Sequence, residues 1–150
     1  MLLIAVASGH GRKAGWLSPF LCAVYNEESG CYEAVSKCMS GFTDAQYKEF
    51  TANFKARALP SRPAYYSVPE SLAGAPYWFA PTTVWEIQGA ELTVSPNYLA
   101  AFGLAVSERG LSLRFPRFLR VREDKDPEGC TSSAQLADMY RAQTRRGGGL

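Results

Sequence analysis

The sequence has a single histidine, His10, and its four cysteines form no CxxC pair. Because a zinc site needs a closely spaced set of Cys and His ligands, this scarcity excludes the usual zinc-bound folds. Cys22 and Cys31 lie in apolar stretches, where an unpaired cysteine behaves as a small hydrophobic residue, so we expect reduced thiols and no metal. Long apolar runs are also missing. The opening run, Leu2 to Ala7, is too short for a signal peptide or a membrane span, and we expect a strand there and no contact with a membrane.

Neither sign of charge dominates, since 16 basic residues face 14 acidic ones and the net charge is +2. This balance excludes a long basic tail and a disordered, highly charged chain. The charge is nevertheless concentrated, because the stretch from Leu111 to Lys125 holds five cations and two anions. Such a segment on a nearly neutral domain is typical of a phosphate-binding face, and a solvated charged strand is the alternative. The 150 residues, with 47% hydrophobic content, suffice for one domain with a buried core.

Short apolar segments separated by turn residues predict a mainly β fold. The first segment leads into a glycine-rich loop, residues 8–15, which carries Arg12 and Lys13. Glycines let a backbone approach a ligand closely, although a plain hairpin loop accounts for them equally well. Pro116 interrupts the last apolar run, which favours a sheet edge or a bulge. The predicted strand segments are 2–7, 20–25, 31–36, 84–87, 92–94, 111–115 and 117–122.

The clearest helix signal begins at Thr43, which forms a capping box with Gln46. Phe42, just before it, can pack on Tyr47 as a hydrophobic staple. Aromatic residues then recur at helical spacing, which predicts that this helix packs its aromatic face into the core; they are Tyr47, Phe50 and Phe54.

Five prolines between Leu59 and Pro81 exclude a regular helix there and predict an extended loop held by aromatic side chains. A second helix is expected from Ser132 or Ser133 to about Gln143. About five strands with one helix between the third and fourth are the pattern of a small oligonucleotide-binding (OB) barrel, a pattern shared with other small β-barrels. We expect a five-stranded OB-fold barrel with one inter-strand helix and a C-terminal helix over residues 1–143, then a flexible tail at 144–150.

One run, LRFPRFLRVREDK at 113–125, is similar to motif VI of the replicative ATP-dependent DNA ligases of eukaryotes. Its RxDK ending also occurs in messenger-RNA capping enzymes, whereas the flanking RFPRF is typical of DNA ligases. Other segments agree in the family's order: GFTD at 41–44, TVWEI at 83–87, LTVSP at 92–96 and TSSAQL at 131–136. The chain therefore resembles the C-terminal OB-fold domain of such a ligase over residues 2–143, and the TSSAQL segment favours the replicative type.

Enzymes of this family seal nicks in duplex DNA. A lysine attacks ATP to form an enzyme–AMP adduct, AMP passes to the 5′-phosphate, and the 3′-hydroxyl then displaces it. The resemblance implies that the OB domain closes over ATP in the first step and clamps nicked double-stranded DNA in the later ones. It also implies ATP and Mg²⁺ in the parent enzyme, the adenylation domain of the same ligase as a partner, and a nuclear location. The family's nucleophile lies in a KxDG motif, which this sequence lacks. We therefore expect part of a larger ligase that is inactive and binds no cofactor on its own.

By the same resemblance, Arg122 and Lys125 contact the β- and γ-phosphates of ATP and orient the pyrophosphate leaving group. Nucleotidyl transfer depends on cations placed against developing negative charge more than on acid–base groups. Asp124 is expected to orient Arg122 or the metal-bound triphosphate. The alternative is that Arg122 and Asp124 only pair with each other on a barrel strand.

The resemblance assigns Arg114 and Phe115 to the minor groove near the nick, with Phe115 acting as an aromatic wedge. Core packing is the alternative for Phe115, since it alternates in phase with Leu111 and Leu113. Arg117, together with Arg12 and Lys13 of the glycine-rich loop, is expected to contact backbone phosphates without reading sequence.

Three other functions fit parts of the sequence. A non-catalytic OB module would bind single strands by aromatic stacking, but most aromatics here fall in the helix and the proline-rich loop. The OB domain of a capping enzyme would share RxDK without RFPRF and VWEI. A small interaction barrel would have no nucleic-acid role.

Overall fold

The computed structural model of the chain describes residues 2–10 and 15–145. These residues form ten β-strands and two α-helices, together with single 3₁₀ turns at Glu70–Leu72 and Pro127–Gly129. The predicted mainly β class, with one helix after the third strand and another near the C-terminus, is confirmed. The elements are β1 (Leu2–Gly9), β2 (Phe20–Asn26), β3 (Cys31–Cys38), α1 (Asp44–Ala56), β4 (Ala58–Leu59), β5 (Tyr66–Ser67), β6 (Tyr77–Phe79), β7 (Val84–Gln88), β8 (Glu91–Ser95), β9 (Gly110–Arg114), β10 (Arg117–Val121) and α2 (Ser133–Arg145).

The larger sheet is built on the antiparallel meander of β1, β2 and β3. On the other side of β1 lies β7, which in turn pairs with β10, so the main path runs β10-β7-β1-β2-β3-β5. The short strands β6 and β4 extend this sheet beside β1. Register shifts interrupt three of these pairs, including β10 with β7 between Phe118 and Arg120. Because a bulge bends its strand and increases the local twist, these shifts curl the sheet.

Two backbone links bring the far parts of the curled sheet together. The amide of Ala100 donates to the carbonyl of Ala34 in β3 at 3.2 Å, and the carbonyl of Ala100 accepts from the amide of Leu111 in β9 at 2.8 Å. The carbonyl of Ser40, just after β3, accepts from the amide of Phe118 in β10 at 2.9 Å. The first link attaches the separate β8–β9 ribbon to β3, and the second holds β10 near the end of β3.

The expected count of five strands is not confirmed. The run expected at 111–122 is divided at Pro116 into β9, which pairs with β8, and β10, which pairs with β7. Pro116 lacks an amide proton and cannot continue a ladder, so the chain changes sheets at this residue. This corner places Arg114 at the end of one sheet and Arg117 at the start of another.

The core is organised around Trp85 in β7, which is fully buried. Its ring centroid lies between 5.0 and 6.1 Å from the centroids of five phenylalanine rings. Two of them, Phe50 and Phe54, come from α1, and Tyr47 of the same helix is also buried. The prediction that the aromatic face of α1 packs into the core is confirmed. The five rings belong to Phe20, Phe42, Phe50, Phe54 and Phe118.

The predicted capping box of α1 is present in full. The hydroxyl of Thr43 accepts from the Gln46 amide at 3.1 Å, and the side-chain oxygen of Gln46 accepts from the Thr43 amide at 2.9 Å. Phe42 packs on Tyr47 with ring centroids 5.0 Å apart, which completes the hydrophobic staple. These local contacts fix the start of the helix and therefore the loop that joins it to β3.

α2 begins with a second capping box, formed by Ser132 and Gln135 at 3.1 and 2.9 Å. Leu136 on its inner face is fully buried. Near the other end, the side-chain amide of Gln143 bonds both the amide and the carbonyl of Leu92 in β8, at 2.7 and 2.6 Å. The helix continues to Arg145, two residues beyond the expected end; residues 146–150 of the expected tail lie outside the described residues.

The proline-rich segment is more ordered than the expected extended loop. It contains the strands β5 and β6 and a 3₁₀ turn. Tyr66, Trp78 and Phe79 are buried, and the Tyr66 hydroxyl donates to the carbonyl of Phe79. Aromatic side chains do anchor the segment, as predicted, but their burial also brings the backbone into the sheet.

Candidate functional site

The RxDK residues form a turn directly after β10. The amide of Arg122 donates to the carbonyl of Val84 in β7 at 2.8 Å, which ties the start of the turn to the sheet. The amide of Lys125 points back to the carbonyl of Arg122 at 3.4 Å. The turn is therefore anchored to the paired strands β7 and β10.

Two carboxylates hold the guanidinium of Arg122. Its Nε and Nη2 donate to the two oxygens of Asp124 at 2.9 and 2.8 Å, and its Nη1 donates to Oε1 of Glu86 at 2.8 Å. An arginine carries five N–H donors, so these three bonds leave one donor on Nη1 and one on Nη2 for a ligand. The Arg122 side chain is 19% exposed, which leaves a narrow opening to solvent. This pairing is expected both if Asp124 orients Arg122 for a ligand and if the two residues only pair with each other.

Arg122 and its carboxylate partners shift one another's pKa values toward the ionised forms. Hydrogen bonds from Arg122 hold the pKa of Asp124 well below its usual range. The same bonds to Asp124 and Glu86 raise the pKa of the guanidinium. All three groups are therefore charged at neutral pH, and their interaction is a network of ionised hydrogen bonds, which are stronger than neutral ones.

Glu86 is a member of this network that the motif did not reveal. It lies in β7 between Trp85 and Ile87, and only 8% of it is exposed. Desolvation pushes its pKa upward, but hydrogen bonds from Arg122 and from Arg120, the latter at 3.4 Å, outweigh this and lower the pKa. The signal in the sequence was an acidic residue within an otherwise apolar strand, but its partner, 36 residues away, depends on the β7–β10 pairing.

Lys125 is exposed and lines two neighbouring clefts. One, of about 330 Å³, lies between the loop before β7 and the RxDK turn, and Thr83 and Arg122 also line it. The other, of about 490 Å³, lies toward α2 and is lined by Leu3, Gln135 and Met139 among others. Arg122 and Lys125 thus share the first cleft, so the structure brings the two predicted phosphate ligands together.

The second predicted group lies at the corner between β9 and β10. Phe115 has a φ of 53°, an uncommon left-handed conformation for a residue with a side chain, and it is 71% exposed. This conformation breaks the alternation that would have placed Phe115 in the core beside Leu113. The Arg114 guanidinium lies 4.9 Å from the centroid of the Phe115 ring and pairs with Glu91 at 3.1 Å.

The two groups are separated along β10. Arg117 is exposed at the first residue of that strand, and Arg122 follows its last residue. Five strand residues span roughly 16 Å, so one rigid strand carries both groups at opposite ends. Arg12 and Lys13, the other predicted phosphate contacts, lie outside the described residues.

Over residues 2–10 and 15–145, no three His, Cys, Asp or Glu side chains are grouped so that they could hold a metal ion. Both oxygens of Asp124 are already bonded to Arg122. Neither helix in the described part of the chain is long and apolar enough to cross a membrane.

The described residues thus form a small β domain with an ionised arginine network at one end of β10 and an exposed arginine–aromatic pair at the other. Residues 13–125 match the family described as the C-terminal region of ATP-dependent DNA ligase. The chain belongs to this family, which excludes the capping-enzyme alternative.

Similar proteins agree with this membership. The chain is 53% identical over 137 residues to DNA ligase 3 of Schizosaccharomyces pombe, a match that covers 90% of the chain and 18% of the relative. It is 43% identical over 140 residues to DNA ligase 1 of Arabidopsis thaliana, covering 93% and 18%. The chain thus spans about a fifth of the length of these relatives.

The fold is also found in a solved structure. The crystal structure of the ligase domain of LigD from M. tuberculosis superposes with a TM-score of 0.63 at 13% sequence identity, over 84% of this chain and 36% of that chain. At this identity the similarity concerns the fold alone.

Proposed function

We propose that this chain is the OB-fold domain of an ATP-dependent DNA ligase of the eukaryotic replicative type, acting in the nucleus. The β1–β2–β3 meander, the return of β7 to β1 and the approach of β10 to the end of β3 support the OB assignment. The domain's partners are the adenylation domain of the same ligase and nicked double-stranded DNA. Its two groups of cations serve two different steps.

In the first step the RxDK turn closes over ATP bound to the adenylation domain. The observation that carries this proposal is the pair of free N–H donors on Nη1 and Nη2 of Arg122, fixed by the bonds to Asp124 and Glu86. Two donors on one guanidinium can bind two oxygens of a phosphate group. Lys125 supplies a second, mobile charge from the same cleft. As the lysine of the adenylation domain attacks the α-phosphorus, the bond to pyrophosphate breaks and the leaving group gains negative charge, which both cations stabilise.

Mg²⁺ is expected to accompany ATP in the parent enzyme. In this network each oxygen of Asp124 already accepts a hydrogen bond from Arg122, and Glu86 is nearly enclosed and bonded to two arginines. We assign to Asp124 the role of orienting Arg122, which its two hydrogen bonds to the guanidinium support.

In the later steps the β9–β10 corner contacts the DNA. Phe115 enters the minor groove beside Arg114, whose guanidinium lies against the ring. Arg117, and Arg12 and Lys13 of the glycine-rich loop, bind backbone phosphates. The 16 Å or so between the two ends of β10 means that the domain must turn to bring first one end and then the other to the reacting groups.

The proposal is tested by complementation. This chain is mixed with S. pombe DNA ligase 3 lacking its own C-terminal region, with labelled ATP and a nicked duplex. Formation of enzyme–AMP and sealing should require both proteins, and Arg122→Ala should slow enzyme–AMP formation by about 100-fold or more. Arg109→Ala removes an exposed arginine that belongs to neither group; it is the matched control and should have no effect on enzyme–AMP formation. Intact enzyme–AMP formation with Arg122→Ala would disprove the phosphate role.

A binding measurement separates this proposal from a single-strand-binding module. The chain should bind nicked duplex more tightly than poly-dT of the same length. Tight poly-dT binding would instead favour a stacking module.

A further inference from the structure

β7 carries one charged residue among buried apolar ones. Val84, Trp85 and Ile87 are each at most 1% exposed, while Glu86 between them carries a charge and is almost as enclosed. Burying a charge is costly, and a well-packed apolar residue in its place is often equally or more stabilising. Stability alone therefore does not account for a carboxylate here, and its contacts must be considered.

Those contacts differ from the contact made by Asp124. Asp124 is two residues from Arg122 and its side chain is 61% exposed, so it moves with the turn. Glu86 is 36 residues away, in a strand paired on both sides by β1 and β10. Asp124 thus fixes the guanidinium relative to the turn, and Glu86 fixes it relative to the sheet.

Glu86 also lets two arginines lie side by side. Arg120 and Arg122 both donate to Oε1 of Glu86, at 3.4 and 2.8 Å. Two like charges this close repel each other unless an anion lies between them. Without the carboxylate, the Nη1 end of Arg122 would lose its bond to the sheet and be pushed away from Arg120.

We propose that Glu86 is the positioning residue of the ATP step, which holds the free N–H donors of Arg122 at one place and angle relative to the sheet. The inference rests on the proposed function, since it assumes that Arg122 binds the phosphates. Glu86 does not touch the substrate. Its effect is that the donors are already in place when the domain closes over ATP, and a misplacement of about 1 Å in such a group can cost about 100-fold in rate.

The test uses the complementation mixture and two substrates, ATP with a nicked duplex and a nick that already carries AMP on its 5′-phosphate. Glu86→Gln keeps the shape but removes the charge, and should slow enzyme–AMP formation roughly tenfold or more. Sealing of the pre-adenylylated nick does not use the ATP contacts and should keep its rate. Arg120→Ala removes the other partner of Glu86 and is the matched control, with a change of less than about fivefold.

A double variant identifies the route of the effect. If Glu86 acts through Arg122, Glu86→Gln combined with Arg122→Ala should be no slower than Arg122→Ala alone, because effects within one unit are not additive. Additive losses, or an equal loss with the pre-adenylylated nick, would show a merely structural role and overturn the inference. A full rate with Glu86→Gln alongside a large loss with Arg122→Ala would overturn this inference only, whereas a full rate with Arg122→Ala would overturn the proposed function.

A second measurement needs this chain alone. The Nη1–H proton of Arg122 that bonds to Glu86 should exchange with water measurably faster by NMR in Glu86→Gln than in the wild type, and at the wild-type rate in Arg120→Ala. An unchanged rate in Glu86→Gln would contradict the positioning role. If Glu86→Gln folds poorly, Glu86→Asp, which keeps the charge but shortens the side chain by one methylene, should also speed the exchange and slow enzyme–AMP formation.

Discussion

A single methyl group added at Gly41 should disturb the site through the backbone of β10. Gly41 follows Ser40, whose carbonyl accepts from the Phe118 amide in β10. Its φ is +94°, and a Cβ there would lie 2.3 Å from the Phe118 carbonyl oxygen and 2.8 Å from its nitrogen. Gly41→Ala therefore combines a left-handed backbone with a collision against the strand that carries Arg122.

The expected magnitude is the sum of three costs. The left-handed conformation costs an alanine about 1 kcal/mol. Loss of the hydrogen bond from Phe118 to Ser40 costs about 1 kcal/mol more, and the displacement of packed backbone about 1 to 3 kcal/mol. We expect a loss of about 3 to 5 kcal/mol in the free energy of unfolding, which for a domain of this size lowers the Tm by roughly 10 °C.

Gly30 provides the matched control, because its φ is +74° but nothing lies within 4 Å of its Cβ position. Gly30→Ala should lose only the conformational part, about 1 kcal/mol. Urea unfolding followed by tryptophan fluorescence gives both values, and hydrogen exchange of the Phe118 amide reports the local contact. Equal losses for the two variants, or undiminished protection of the Phe118 amide in Gly41→Ala, would refute the steric reasoning.

Three further predictions address the site and the thiols. Phe115→Ala should keep the free energy of unfolding within about 0.5 kcal/mol of the wild-type value but weaken binding of nicked duplex about tenfold. The control is Phe102→Ala, at a phenylalanine that is 50% exposed on another loop, which should leave the Kd unchanged. An equal loss of binding in both variants would argue against a wedge at Phe115. The Asp124 carboxyl should stay ionised at about pH 3 and titrate near pH 4 only in Arg122→Ala. Since the folded-state pKa of Asp124 is lowered, its contribution to stability is complete above about pH 4 and is lost as the pH falls through that pKa. Titration of Asp124 near pH 4 in the wild type, followed by ¹³C NMR, would contradict the pairing. At about pH 8 a thiol reagent should label Cys31 before the buried thiols Cys22, Cys38 and Cys130. Burial raises the pKa of these three thiols, to about 11 for Cys38 and about 12 for Cys130. The reverse order of labelling by mass spectrometry would show that the buried thiols are accessible.

Only those site residues that lie within a local sequence motif could be predicted. The RxDK and RFPRF segments identified Arg122, Asp124 and Phe115 by resemblance, and the structure places Arg122 and Asp124 in contact. Glu86 was not found, because the contact that gives it a role joins two strands that are neighbours only in space. The orientation of Phe115 was undecided from alternation, since a local φ of 53° sets it.

The sequence by itself determined the features that depend on a few consecutive residues. Thr43 with Gln46 and Ser132 with Gln135 start the helices through short-range hydrogen bonds, and short apolar runs bounded by turn residues identified the main strands. Tertiary structure alone decided which strands are neighbours, that the chain changes sheets at Pro116, and that the proline-rich segment joins the sheet. These features arise from burial of side chains around Trp85 and Tyr66 and from backbone pairing over long separations. The contacts that stabilise these features join residues far apart in the sequence, so no local segment predicts them.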